Sequence, residues 1–560
     1  MNKNSQHIVI IGGVAAGTKT AAKVRREHPH CEITIFTEEP YISYAGCGQP
    51  YYISGHIQQR ANLLARTPEQ FFSLYQVQVQ LNHRVMKIDA PNKQVEVENL
   101  ETGLRFHHPY DQLVIATGAS SIVPRLPGID FPGVYSLRSI DDMDAIRAYI
   151  DRDSVNEAIV VGGGFIGLEM VESLVARNIK VTLVERLPLP APIFDPLIGH
   201  HINNTLQAHG VRVRLGSSLE AVIGSPQYGV RAVTINGQEQ HADLVLLCIG
   251  VRPNVGLAKE AGIALGPTGA IAVDDHLRTN VPDIYAAGDC SEMKHLVTGK
   301  PVWIPLGSTA NRQGRVLGIN LAGGSEIFPG VLGTSIFRIF DLNVARTGAG
   351  EKEAVEAGFD VETVVVPAGD APHYMPEGKT VITKLIIDKK TERVLGAECW
   401  GPGKVDKVID TLATAITLRA NVADLQQLDL AYAPPFAPPL GNATTSANVV
   451  RNKLDHKTDG IAPLELKSRL DAGESVFLLD VRPPQARAKL VTTNDVNIPV
   501  AALRERLNEI PKDRLVVTTC NVGLNAALAC LILKQLGLAN VRYLDGGVTA
   551  WPAPVPGPFQ

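Results

Sequence analysis

The chain alternates short apolar runs with stretches of helical period, and glycine separates them. His7–Ile11 (H-I-V-I-I) reads as a strand buried on both faces. It is followed by Gly12-Gly13-Val14-Ala15-Ala16-Gly17, a helical stretch to Glu27 and a second apolar strand, Glu32–Phe36. The order recurs downstream: strand 158–161, Gly162-Gly163-Gly164-Phe165-Ile166-Gly167, a helix to about Arg177, and strand Lys180–Val184. Residues 113–118 and 244–250 are further apolar strands ending on Gly118 and Gly250. Residues 328–448 mix strand-like runs, such as 380–387, with a helix over 405–419, and end in the stretch A-P-P-F-A-P-P-L. Polar residues 449–460 read as a linker. A smaller unit follows, with helix 464–470, strand 476–481, strand Leu515–Thr519 and helix 526–536.

Strand, glycine turn, helix, strand is the order of a parallel sheet wound with helices. Glycines there let the backbone approach a pyrophosphate, and the helix N-terminus stabilises its charge. Gly162, Gly164 and Gly167 complete the G-x-G-x-x-G spacing; in the first loop Val14 stands where the second glycine would be. Both loops read as dinucleotide cradles, so the expected fold is α/β with two Rossmann-like domains. An acidic residue at the end of the second strand accepts from ribose hydroxyls and repels a 2′-phosphate. Glu185 fills that slot in the second unit and favours NADH over NADPH; Arg186 beside it leaves NADPH open. In the first unit the slot holds Thr37, with Glu38 and Glu39 following. The run 279–289 reads as a short strand that delivers the carboxylate of Asp289.

Composition narrows the class. Of 560 residues, 45% are hydrophobic and 20% charged, as in globular proteins, and the net charge of -4 argues against a nucleic-acid partner. No apolar run is long enough for a membrane helix, and the start, M-N-K-N-S-Q-H, lacks a signal-peptide layout. The seven cysteines have no paired spacing, so neither a disulfide framework nor a metal site is expected, and the reading places the chain in the cytoplasm. Cys31, Cys248, Cys399 and Cys530 read as core, and Cys290 as structural. Cys47 stands apart, in Y-I-S-Y-A-G-C-G-Q-P-Y-Y. The position five after it is Tyr52, which precludes a C-x-x-x-x-C disulfide, so Cys47 would cycle through a mixed disulfide, a persulfide or a sulfenic acid. Its thiolate is expected to be favoured by neighbouring amides. Cys520 sits on a loop entering a helix, where amides can stabilise a thiolate or persulfide.

On these residues the first 450 positions resemble the pyridine nucleotide-disulfide oxidoreductases. Within them they resemble the single-cysteine branch: coenzyme A-disulfide reductase, NADH oxidase, NADH peroxidase and NADH-dependent persulfide reductase. Residues 8–17, 41–52, 115–118, 160–169, 279–289 and 306–314 carry the likeness. The tail resembles a rhodanese domain through Cys520-Asn521-Val522-Gly523-Leu524, L-D-V-R at 479–482 and L-D-G-G-V-T-A-W at 544–551. The resemblance implies an FAD-binding domain (1–150 and 276–327), an NAD-binding domain (151–275), an α+β dimerisation domain (328–448) and a rhodanese-like domain (461–560). It implies FAD on Gly12, Gly13, Ala15, Gly17, Thr37, Glu38 and Asp289, with Ala310 on a helix by the flavin. Gly162, Gly164, Gly167 and Glu185 would take the nicotinamide nucleotide, and Ala116, Thr117, Gly118 and Gly250 complete the cofactor sites. Cys47 and Cys520 would be catalytic, with Tyr432 and Tyr374 reaching the sulfur from a dimer partner. Coenzyme A would meet Lys19, Lys23, Ser43, Arg66 and Asn311.

The implied activity is reduction of persulfides, polysulfides or coenzyme A disulfides by a homodimer, with a sulfur-donor protein as a further partner. Two alternatives stand beside it: an NADH oxidase or peroxidase working through a Cys47 sulfenic acid, and a low-turnover flavoprotein redox sensor. The chain departs from its relatives' patterns at three places. Gly46 replaces the usual asparagine before the redox cysteine, Asn525 replaces an arginine in the rhodanese loop, and V-N-I-P-V-A at 496–501 keeps only part of the G-H-I-P-G-A turn.

Overall fold

The computed structural model describes residues 6–152, 155–487 and 496–552. The backbone forms two compact units, Met1–Arg186 with Ser217–Val331 and Leu187–Gly216 with Leu332–Gln560. In the first unit, β1 (His7–Ile11) lies between β2 (Glu32–Phe36) and β3 (Gln112–Ile115), all parallel. Gln78–Gln80 extends this sheet beyond β2, and Ile284–Ala286 beyond β3. Ile8, Val9 and Ile10 are fully buried, which is why the strand reads as an unbroken apolar run. A second parallel sheet places β4 (Glu157–Val161) between β5 (Lys180–Val184) and β6 (Leu244–Leu247). The helices that matter here are α1 (Ala15–Glu27), α2 (Gln49–Ile53), α3 (Ile140–Ile150), α4 (Phe165–Val175) and α5 (Gly307–Leu321). α1 packs along α5, where Gly314 and Gly318 make room for the stems of Lys19 and Lys23.

In the second unit an antiparallel sheet runs Ser335–Ile339, β7 (Leu342–Gly348), β10 (Val394–Gly401), β9 (Thr380–Asp388), β8 (Val361–Gly369). The C-terminal parallel sheet runs Gly460–Ile461, β13 (Val541–Leu544), β12 (Leu515–Thr519), β11 (Val476–Asp480), Val496–Asn497. Lys453 joins the two sheets: its amine is 2.8 Å from Glu362 on β8 and 3.5 Å from Asp545, just past β13.

Several expected bounds shift. The linker expected at 449–460 is helical in its first half, because α6 (Asn442–Leu454) runs through it and buries Val450. Of its polar residues on that helix, Asn452 is exposed and Lys453 is turned inward to Glu362 and Asp545. The helix expected from 526 starts earlier, as α7 (Leu524–Gln535). The strands expected over 113–118 and 244–250 stop at Ile115 and Leu247, where the chain turns. The altered rhodanese turn at 496–501 opens with an edge strand, Val496–Asn497, and leads into a single tight turn, Val500–Ala502. No helix among the described residues is long and apolar enough to cross a membrane.

Residues 187–216, expected within the 151–275 domain, lie in the second unit for an electrostatic reason. Lys384 on β9 is only 8% exposed and pairs with both Asp195 and Glu351. Asp195 caps the helix Pro196–Ala208 through Leu197 N–H (2.8 Å), and its own amide donates to Glu398. Burial, then Asp195, pushes the Glu398 carboxyl up to about 7. Lys384→Ala removes the cation that balances these buried acids. It should destabilise the second unit by about 3–5 kcal/mol, read as the denaturant midpoint followed by Trp400 fluorescence. A loss no larger than the roughly 0–1 kcal/mol of a surface pair would show that the pairing is not structural.

Candidate functional site

The first glycine loop is shaped by a close crossing. Gly12 has φ +116°, and a Cβ there would lie 2.1 Å from the Ala116 carbonyl oxygen at the end of β3. Only glycine fits such a backbone contact. α1 then begins at Ala15 with no side-chain cap, so its leading amides face outward as an anion cradle. Val14 tops that helix in place of the expected glycine. Thr37 is buried at the end of β2, with its hydroxyl turned to the Glu39 amide (3.4 Å). Glu38 points away to Arg84 at the surface (2.7 Å), so the inward acid of this segment is Glu39. Glu39, absent from the expected site, accepts from the Tyr44 hydroxyl (3.0 Å), and burial pushes its carboxyl up. Ala310 is buried in α5, and Asp289 pairs with Arg138 at 3.0 Å.

The second loop repeats the geometry. Gly162 has φ +105°, and a Cβ would lie 2.3 Å from the Cys248 carbonyl oxygen. Nothing lies within 4 Å of a Cβ built on Gly164, so a ligand can approach the backbone where α4 starts uncapped. Glu185 is buried and accepts from the Gly163 amide at 2.7 Å. The acid expected to meet the ribose is thereby fixed against the second glycine loop. Residues 117–120 are stitched to the strand leaving Gly250: Thr117 Oγ1 donates to the Asn254 carbonyl, and Asn254 Nδ2 to that of Thr117, each at 2.8 Å. The uncapped helices at both loops, and the open Gly164 at the second, fit dinucleotide pyrophosphates.

Cys47 sits in a single tight turn, Gly46–Gly48, just ahead of α2, and its side chain is exposed. The residues around it do not favour its thiolate. Although Cys47 reaches the surface, loss of water on its protein side comes first, and then the charges of Glu169 and Asp289, in pushing its pKa up; Arg138 and a backbone hydrogen bond only oppose them. This reverses the expectation from the amides alone, because two carboxylates face the same thiol. Glu169 on α4 was missed in the sequence. Burial and Glu172 hold its carboxyl at about 7. The other cysteines read as core behave as such: Cys31, Cys290, Cys399 and Cys530 are buried and Cys248 is half-buried.

Tyr374 and Tyr432 come together: both are exposed, and their hydroxyls share a hydrogen bond that, with burial, raises the Tyr374 pKa. The coenzyme A candidates are less uniform. Lys23 is committed to Glu27. Lys19 is half-buried, and Arg66 is exposed and donates to the Ala65 carbonyl (2.9 Å). Ser43 takes a left-handed φ of +50° and donates its amide to Gly13 (2.8 Å), while the Asn311 side chain donates to Gly307 in its own helix (2.8 Å).

In the C-terminal sheet Cys520 follows β12 and is buried. Its sulfur accepts from the Gly523 amide at 3.2 Å and the Ala526 amide at 3.4 Å, the cradle expected of the loop. Arg482 is 2% exposed, pairs with Asp480 at 2.7 Å and donates to the Asn521 side chain at 3.2 Å. Asn525 is exposed at the head of α7 and adds no charge.

Comparison with known proteins agrees with this arrangement. The family profile for pyridine nucleotide-disulphide oxidoreductases matches residues 6–314, that of their dimerisation domain 334–444, and the rhodanese-like profile 462–553. The NAD(P)H sulfur oxidoreductase (CoA-dependent) of Pyrococcus furiosus is 38% identical over 432 residues, 77% of this chain and 96% of that protein. The structure of an NAD-dependent persulfide reductase from A. fulgidus superposes with a TM-score of 0.92 at 39% identity, covering 98% of this chain and 100% of that one. Reduced CoADR-RHD of Bacillus anthracis gives 0.92 at 36% identity, covering 98% of both.

The carboxylates around Cys47 make its reactivity depend on Glu169. Above pH about 7 Glu169 is ionised and holds the thiol protonated; below it the acid is neutral and the effect fades. Glu169→Gln should therefore speed alkylation of Cys47 by roughly three- to tenfold at pH 8, and leave the rate at pH 6 unchanged. The measurement is peptide mass spectrometry of Cys47 after timed iodoacetamide exposure. Equal rates at both pH values would remove Glu169 from the site.

Proposed function

The chain belongs to the pyridine nucleotide-disulphide oxidoreductases, and from that premise we propose that it is an FAD-dependent NADH reductase of persulfides, polysulfides and coenzyme A disulfides. The observation that carries the reading is one exposed redox cysteine, Cys47, in the same chain as an amide-cradled Cys520. Held on the Gly12–Gly17 loop, FAD would supply the two-electron transfer between a nicotinamide and sulfur. Glu185, fixed on the Gly163 amide, takes the ribose hydroxyls and disfavours a 2′-phosphate, so NADH is preferred over NADPH.

Cys47 attacks the sulfane sulfur of a persulfide and the carrier thiol leaves; two-electron reduction then frees hydrosulfide and restores the thiol. In a homodimer, the Tyr374–Tyr432 pair of the second copy protonates the leaving group, since a phenol carries its proton at neutral pH. Lys19 and Arg66 are the cations open to coenzyme A phosphates, because Lys23 is held by Glu27. The cradle at Cys520 accepts sulfur from donors too large for Cys47, a sulfur-donor protein among them. The unpaired cysteines suit work in the cytoplasm.

Cys47→Ser should leave reduction of the flavin by NADH intact and abolish turnover of a glutathione or coenzyme A persulfide. Anaerobic stopped-flow absorbance separates these half-reactions, and retained persulfide turnover would refute the assignment. Oxygen consumed faster than persulfide by the unaltered protein would favour the sulfenic acid cycle instead.

Cys520 should gain a sulfur when the protein is treated with a persulfide donor, trapped by alkylation and weighed by mass spectrometry. With Asn525 in place of a cation, thiosulfate should be a poor donor, by about one to two orders of magnitude, the cost of a lost charge-assisted contact. No added sulfur on Cys520, together with unchanged rates in Cys520→Ser, would make the domain a packing element only.

A further inference from the structure

α4 touches both halves of the proposed reaction. Its head is the Gly162–Gly167 loop. Along its flank, Glu169, Ser173 and Arg177 follow at four-residue intervals, each step only about 40° past a full turn, so they lie on one side. That side meets the segment carrying Cys47. Glu169 is the strongest single charge acting on Cys47. The single proton of the Ser173 hydroxyl is shared between the Pro50 carbonyl in α2, at 2.9 Å, and the Glu169 carbonyl of its own helix, at 2.8 Å. Arg177, just beyond the helix, reaches the Ile53 carbonyl at 3.5 Å.

The contacts fasten a very short helix to its neighbours. α2 has five residues, and the turn after it bonds its carbonyls: Ser54 N–H reaches Pro50 (2.9 Å), Ile57 N–H reaches Tyr51 (2.9 Å) and Gly55 N–H reaches Tyr52 (3.0 Å). Side chains from α3 and α4 add further bonds to the same stretch. Arg147 on α3 donates to the Tyr52 carbonyl and lies over the Tyr52 ring, 5.2 Å from its centroid. Asp151 binds both arginines, Arg147 at 3.0 Å and Arg177. Ser173 is also the odd residue of its surroundings: it is buried with Leu168, Met170, Val171 and Leu174 on α4. Burying a hydroxyl costs free energy unless it is bonded. Here the bond is shared with α2, at Pro50, three residues past Cys47.

We propose that α4 is a shared beam: the dinucleotide binds at its head, and the Glu169–Ser173–Arg177 stripe sets the position and reactivity of Cys47, so that nucleotide binding is read at the thiol. Ser173 and Arg177 are positioning residues; neither touches the reacting atoms. The inference rests on the reading of Gly162–Gly167 as the nicotinamide loop, and deepens it.

The test uses the flavin-loaded protein and NAD+, which binds as NADH does but carries no hydride. Calorimetry gives NAD+ affinity, and mass spectrometry gives the rate at which iodoacetamide alkylates Cys47. Saturating NAD+ should change that rate by about fivefold, the lower end of ordinary site-to-site coupling. Ser173→Ala with Arg177→Met should bring the ratio to within about twofold of one while NAD+ affinity and flavin absorbance hold. Ser173→Thr, which keeps the hydroxyl, should preserve the ratio. Should the double variant fail to fold, Arg177→Met alone must reduce the ratio. Bound NAD+ without any change at Cys47, or variants that keep the full response, would overturn the beam. Failure of NAD+ to bind the unaltered protein would instead refute the nicotinamide reading, and the inference with it.

Discussion

Amides at the head of a helix need an acceptor, and α1 and α4 supply none of their own. Each helix starts directly after a buried parallel strand, on a loop whose first glycine crosses a neighbouring backbone at van der Waals limits. The crossing forbids a side chain at Gly12 or Gly162, and the lack of a cap leaves the positive end of the helix to a ligand's phosphates. Much else in the first unit follows from these two places. Glu185 is aimed by its bond to Gly163, the ends of β3 and β6 are tied through Thr117 and Asn254, and the Cys47 turn lies against the flank of α4.

The two candidate sulfurs, Cys47 and Cys520, are held in opposite ways. Cys47 is exposed, among Glu169 and Asp289, and the protein's own charges work against its thiolate. A thiol held protonated in this way is a weaker nucleophile than a free thiolate. Cys520 is buried, and two amides point at its sulfur. An anionic sulfur is stabilised there by dipoles rather than by a full charge, which suits storage of a persulfide more than attack on an anionic donor. The buried Asp480–Arg482 pair holds Asn521, and so the loop, in register.

The domain order and both glycine loops were legible in the sequence because they rest on local rules. Apolar runs of strand length, glycines at fixed offsets and an acid at Glu185 are set within about 30 residues of one another, and the strands β1, β2, β5 and β12 end where the pattern places them. The cysteine between two glycines at Cys47 and the cradle at Cys520 are local in the same sense.

What the sequence hid is long-range and electrostatic. Glu169 is one acid in an apolar helix until folding sets it beside Cys47, more than a hundred positions away. Ser173 is an unremarked serine until folding sets the Pro50 carbonyl against it. Residues 187–216 continue the second glycine unit in the chain, yet Asp195 finds Lys384 nearly two hundred residues on, and the stretch joins the other unit. The same holds for Glu38, an acid in the right place by counting, which turns to Arg84 and leaves Glu39 inside. Hydrophobic period and glycine spacing are properties of neighbours along the chain, so the sequence by itself determined the strands, the loops and the two sulfurs. A charge acts on whatever folding brings near it, so the state of Cys47 was decided only by the tertiary structure.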